Sequence, residues 1–175
     1  MPLSVKCTVI VCVLIAELCR ASDVTINSYR LDPETDQSFY KPGTLRLTKK
    51  SRNMLVVSGT WEFLQNMGAD IQIVRSFFYK NALTGQYQKV HILKQSLCDF
   101  VNKDTLIMPK IREVSNVPEP GSCPIPKGRY TIENYRYELP EALPVPPGDY
   151  RVVIQFIKNG NQLLIGLEWL VTVHQ

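Results

Sequence analysis

Leu163-Leu164-Ile165-Gly166-Leu167-Glu168-Trp169-Leu170-Val171-Thr172-Val173 decides the fold. Every odd position in it is apolar: Leu163, Ile165, Leu167, Trp169, Val171 and Val173. The even positions are mixed, with Gly166, Glu168 and Thr172 among them. Six apolar residues at period two predict an extended strand with one face turned to a hydrophobic interior. A helix would scatter the same residues around its circumference. Just upstream, Asn159-Gly160 supplies the positive φ of a type I′ turn, so the preceding segment is expected to pair with this strand as a hairpin. That segment, Asp149 to Lys158, places Tyr150, Val152, Ile154 and Phe156 on one face.

The same alternation recurs upstream. Ser22 to Leu31 reads as a strand anchored by Val24, Ile26 and Tyr29, and Thr44 to Lys49 as a short one. Met54 to Leu64 carries Leu55, Val57, Gly59, Trp61 and Phe63 on one face, with Gly59 marking a bulge or a close backbone approach. Asp70 to Tyr79 carries Ile71, Ile73 and Phe77, interrupted by Arg75. Antiparallel pairing of these last two is the simplest arrangement across so short a connection. Tyr87 to Leu93 and Arg129 to Glu138 are further strands, while Tyr40-Lys41-Pro42-Gly43 reads as a turn. Between Asp99 and Asn116 the alternation is lost. Phe100, Ile107, Ile111 and Val114 fall near helical spacing there, Asp104 or Thr105 is placed to cap, and Pro109 limits any helix to a short or kinked one. Prolines then crowd 117–128 and 139–148. The expectation is an all-β, antiparallel, immunoglobulin-like β-sandwich of about eight strands with a short helical insertion.

The N-terminus has another character. Lys6 precedes an apolar run from Cys7 to Ala16, and Cys19 and Ala21 sit at the −3 and −1 places of a cut before Ser22. Residues 1–21 are therefore expected to be a secretory signal peptide, and 22–175 a single domain. The run is far shorter than the ~20 residues a membrane span needs. Of the five cysteines, Cys7, Cys12 and Cys19 leave with the signal. Cys98 and Cys123 remain, an even pair in an oxidising compartment, expected to form one disulfide.

Chemistry-bearing patterns are sparse. His91 and His174 are the only histidines, and both read as surface residues. Nucleophile elbow, zinc-protease and phosphate-loop motifs are absent. No catalytic residue, metal or cofactor is expected. The net charge of +4 is mild, and Lys49-Lys50-Ser51-Arg52 is the densest basic cluster. It lies between strands without interleaved aromatics, which argues for a solvated turn and against nucleic-acid binding.

Several short motifs resemble a known family. They are Cys98-Asp99-Phe100, Ser122-Cys123-Pro124-Ile125, Gly128-Arg129-Tyr130, Leu143-Pro144, Pro147-Gly148-Asp149-Tyr150-Arg151 and Trp169-Leu170-Val171-Thr172-Val173. Together their order and spacing resemble the insect secreted family DUF1091, which includes the chemosensory B proteins related to the ganglioside GM2 activator and to MD-2-like lipid-recognition domains. The resemblance implies a secreted, extracellular, non-enzymatic sandwich that binds hydrophobic or lipid-like molecules, in chemosensation for some members. One departure is that 22–52 lacks the further cysteine pair of many relatives. On this resemblance Val57, Trp61, Phe63, Ile73, Phe77, Phe100, Ile107, Ile111, Ile154, Phe156, Leu167 and Trp169 are expected to line a ligand pocket, with 100–114 near its mouth. The expected partners are a hydrophobic small molecule or lipid and a membrane receptor or channel, for a monomer. The rival expectations are a cavity-free protein-interaction module and a secreted hydrolase.

Overall fold

The computed structural model describes residues 24–51, 54–137 and 145–174. The expected signal peptide, Arg52 of the basic cluster and the Leu143-Pro144 motif lie outside the described residues. The described strands, nine in all, are β1 (Val24–Leu31), β2 (Tyr40–Pro42), β3 (Arg46–Ser51), β4 (Met54–Phe63), β5 (Ile71–Lys80), β6 (Tyr87–Ser96), β7 (Gly128–Tyr135), β8 (Gly148–Lys158) and β9 (Gln162–Val173). Two short helices, α1 (Leu97–Lys103) and α2 (Met108–Glu113), stand between β6 and β7. One sheet runs β1-β9-β8-β5-β6. The other is centred on β4, with β7 along one edge and β2 and β3 sharing the opposite edge. All the pairings are antiparallel, and the two sheets stack as a sandwich.

The closing strand keeps its predicted parity. Val173, Val171, Trp169 and Leu167 pair with Val24, Ile26, Tyr29 and Leu31 across one edge. Across the other edge Val171, Trp169, Leu167 and Ile165 pair with Tyr150, Val152, Ile154 and Phe156. Two bulges adjust that pattern. The register shift between Ile26 and Ser28 brings Tyr29 to the inner face, where its ring lies 4.8 Å from Trp169. The shift between Phe156 and Ile157 skips Leu164, which becomes fully buried despite its even number.

The pairing of β4 with β5 is a correction to the sequence reading. They belong to opposite sheets. The connection between them is anchored by Met67, 0% exposed, whose backbone exchanges two hydrogen bonds with Ile125. Both strands carry an apolar face. Edge-to-edge pairing leaves those faces side by side, whereas stacking lets Ile71 and Ile73 meet Tyr40 and Tyr130 in one core. Tyr40–Pro42 is likewise a short strand and not a turn, because Tyr40 (4% exposed) is drawn into the same core and pairs with Phe63.

The helical insertion is two helices. Oδ1 of Asp104 accepts hydrogen bonds from the amides of Leu106, Ile107 and Met108, and Pro109 falls in the first turn of α2, where it is tolerated. Cys98 in α1 is bonded to Cys123, with their Cα atoms 5.6 Å apart. Closing a loop of that span stabilises by about 3.5 kcal/mol in the chain-entropy model. β7 and β8 begin alike, with Pro-x-Gly-x-Tyr. The Tyr130 hydroxyl donates to the Pro126 carbonyl and that of Tyr150 to the Pro146 carbonyl. Each tyrosine thereby ties its strand to the proline-rich crossing before it.

Candidate functional site

Pairing defines the inner face of the five-stranded sheet row by row. One row is Arg75, Ile154, Leu167 and Leu31; the next is Phe77, Val152, Trp169 and Tyr29. Opposite them, β4 and β7 contribute an aromatic group. Trp61 stacks on Tyr130 with centroids 5.7 Å apart, and Phe63 tilts against Tyr130 at 5.3 Å.

Burial along these faces is uneven. At one end Ile71, Ile73, Leu164 and Ile165 are closed off with Met67, and at the other Val24, Tyr150 and Val173 form a separate cluster. Between the ends, Val152, Ile154 and Phe156 on β8 and Leu167, Trp169 and Val171 on β9 are only partly buried, although both strands are flanked on either side. Trp61 and Phe63 are partly buried as well. The sheets come closest where β1 lies over β3 and β4. Toward β6 the inner face meets solvent: Leu93, beside Arg75, is 38% exposed, and His91, beside Phe77, is exposed.

The structure places the residues expected to line a pocket unequally. Ile73 and Val57 are buried in core clusters. Trp61, Phe63, Phe100, Ile111, Ile154, Phe156 and Leu167 pack around the largest cluster, and Trp169 packs around that of Ile26, Val57 and Ile132. Phe77 and Ile107 are partly buried outside these clusters; Phe77 leans on His91 with rings 6.0 Å apart. Tyr130, absent from that expectation, is the hub of the aromatic group. Its inward position follows from alternation with Ile132 along β7.

A cleft of about 260 Å³ opens where α1 and α2 approach β6, lined by Gln95, Asp99, Lys103, Asp104, Thr105 and Leu106. Arg75 reaches one of these residues, Gln95. Its Nη2 donates to Oε1 of Gln95 at 3.2 Å, and its guanidinium sits 5.1 Å from the Phe100 ring centroid. Nε of Arg75 is buried without a hydrogen-bond partner, as is Nε1 of Trp169. Burial lowers the pKa of Arg75, while Asp104 and Tyr137 act in the opposite direction. His91 and His174 are on the surface, as the sequence predicts. Among the described residues no cluster of His, Cys, Asp or Glu is suited to a metal ion, and no helix is long and apolar enough to cross a membrane.

The inward tyrosines respond to pH. Burial pushes Tyr29 and Tyr40 above the ordinary phenol range. Tyr40 is pushed further, by its burial first and then by its closeness to Tyr29. Tyr130, Tyr137 and Tyr150 are raised by burial too. Each holds its proton more tightly folded than unfolded. Their stabilisation is therefore complete below the unfolded phenol value near 10 and is lost as pH rises through the folded values. The urea midpoint is expected to be lower at pH 11 than at pH 9, with phenolate absorbance at 295 nm appearing at higher pH in the native protein than in urea. An unchanged midpoint would contradict these burial shifts.

Residues 71–152 match the model of a family described as a protein of unknown function, DUF1091. That segment belongs to the DUF1091 family. The DUF1091 match begins at β5 and ends within β8, taking in Arg75, both disulfide cysteines, both helices and Tyr130. β4 and β9, which supply Trp61, Phe63, Leu167 and Trp169, lie outside it. No curated protein matches the sequence significantly.

Proposed function

We propose that this DUF1091 protein is a secreted, non-enzymatic binder of hydrophobic or lipid-like molecules, held between its two sheets. The observation that carries the reading is the partly exposed apolar inner face of β8 and β9, flanked strands that a closed sandwich would bury. Entry is at the β6 side, beside α1 and α2. An apolar ligand gains about 0.8 kcal/mol per methylene buried. Ten methylenes contribute roughly 8 kcal/mol before the costs of ordering. The disulfide and the absence of a spanning helix among the described residues are compatible with export. Chemosensation, as in the chemosensory B proteins, with a hydrophobic cue handed to a membrane receptor or channel, is the role that suits such a carrier.

Organic extraction of the purified protein followed by mass spectrometry, together with uptake of N-phenyl-1-naphthylamine, tests the reading. A copurifying apolar molecule or saturable uptake of the dye is expected; a protein that neither carries an extractable lipid nor takes up the dye overturns it. One observation favours a protein-interaction module instead. Val90 (55% exposed), Ile92 (43%) and Leu93 present apolar side chains along the edge strand β6.

A further inference from the structure

Arg75 is out of keeping with its surroundings. It occupies the inner face of β5 between Ile73 and Phe77, and its cross-strand neighbours are Ile154 and Leu93. Alternation along the strand asks for an apolar residue there. Arg75 is partly buried, and a cation there loses part of its hydration, which calls for compensation. Among the described residues it meets a neutral amide oxygen from Gln95 and the face of Phe100, with the Tyr137 phenol farther off. Among the described residues no carboxylate stands within ion-pair distance of it. The nearest acid in effect, Asp104, spends Oδ1 on three amides at the start of α2. Asp99 is engaged with Lys103 at 2.7 Å. Nε of Arg75 is left with no acceptor at all.

The geometry points to a ligand that brings the missing acceptor: we propose that the space between the sheets receives an amphiphile with a carboxylate head, its head on the Arg75 guanidinium and its tail over Ile154, Leu167 and Phe156. This deepens the lipid-binding reading and rests on it. A guanidinium presents parallel N–H donors that match the two oxygens of a carboxylate. One cation with apolar ladder neighbours balances one negative charge, which suits a carboxylate better than a doubly charged phosphate head. The tail has a track. The row from Arg75 through Ile154 and Leu167 to Leu31 spans three strand spacings, about 14 Å. Trp169, in the adjoining row, keeps an unpaired Nε1–H for an oxygen further along the chain. Gln95, which accepts from Arg75, also lines the cleft where α1 and α2 approach β6.

The test is displacement of N-phenyl-1-naphthylamine from the full protein by dodecanoic acid and by methyl dodecanoate at neutral pH. The acid is expected to bind at least tenfold more tightly than its ester. Arg75→Gln is expected to remove that preference, weakening the acid at least tenfold and leaving the ester within threefold. Equal binding of acid and ester by the unaltered protein overturns the head-group assignment while leaving the lipid reading intact. Acid preference that persists in a folded Arg75→Gln variant also overturns it. If the dye itself is not taken up, the lipid reading fails and this assignment with it. Where Arg75→Gln does not fold, Arg75→Met, apolar like its ladder neighbours, replaces it with the same expected loss of acid preference.

Discussion

Phe156→Arg is expected to yield a folded protein that no longer takes up N-phenyl-1-naphthylamine. Phe156 sits on the inner face of β8, between Ile73 and Ile165, and packs against the largest core cluster while remaining partly exposed. That partial exposure gives an introduced guanidinium a way to water, so the fold survives at some cost in stability. The space beside it is then crossed by a long polar side chain. An apolar ligand loses the contacts of the ring and meets a charge it cannot solvate. A weakening of at least 100-fold, about 3 kcal/mol, is expected in dye titrations. Trp61→Arg attacks the same space from the facing sheet and is expected to act alike. Gln155→Arg is the control. It is the next residue along β8 and paired with Gly166, so it points to the outer face. Uptake by folded Phe156→Arg protein equal to that of Gln155→Arg would remove the inner face from the binding site.

The contrast between Phe156 and Gln155 was legible in the sequence, since parity alone assigns their faces. So were a polar helix start at Asp104 or Thr105, the Asn159-Gly160 turn and the Cys98–Cys123 bond, because each depends on chemistry local to the chain or on simple counting. What was not legible depends on contacts between distant segments. Leu164 is buried because the β8–β9 ladder slips by one residue, and nothing in its own neighbourhood announces the slip. Tyr29 shares the face of Ile26 for the same reason. β4 and β5 are separated because Met67 and Ile125 pin the link between the sheets, and those two residues are far apart in sequence. Arg75 interrupts a run of inward apolar residues, which sequence detects. That it lacks an acidic partner is visible only once Asp104 is seen committed to α2. The candidate site was thus half readable: its apolar walls follow from periodicity, its polar point from folding.

Gly59→Ala is expected to be among the most damaging single substitutions in the chain. β2 and β3 lie along one edge of β4 as two halves of an interrupted strand, and the interruption at residues 43–45 crosses Gly59. Gly59 has φ +136°, and a Cβ there runs into the Thr44 carbonyl and comes within 2.6 Å of the Leu45 Cα. Both obstacles are backbone, so relief requires the strand edge to move. Backbone strain of this kind costs about 1–3 kcal/mol before any collision. Gly160 separates the two contributions. Its φ is +80° and nothing lies within 4 Å of the site a Cβ would occupy, so Gly160→Ala meets strain alone, about 1–2 kcal/mol. Urea denaturation of both variants is expected to show Gly59→Ala losing at least 2 kcal/mol more than Gly160→Ala, an allowance for displaced backbone of the same order as core overpacking. Equal losses would mean that Thr44 and Leu45 do not hold their crossing over β4 in solution. Trp61 and Phe63 lie just beyond that crossing on β4, where β2 pairs with them. A variant that stays folded but loosens this edge is therefore expected to weaken dye uptake as well, and so to tie the break in the strand to the placement of the aromatic wall.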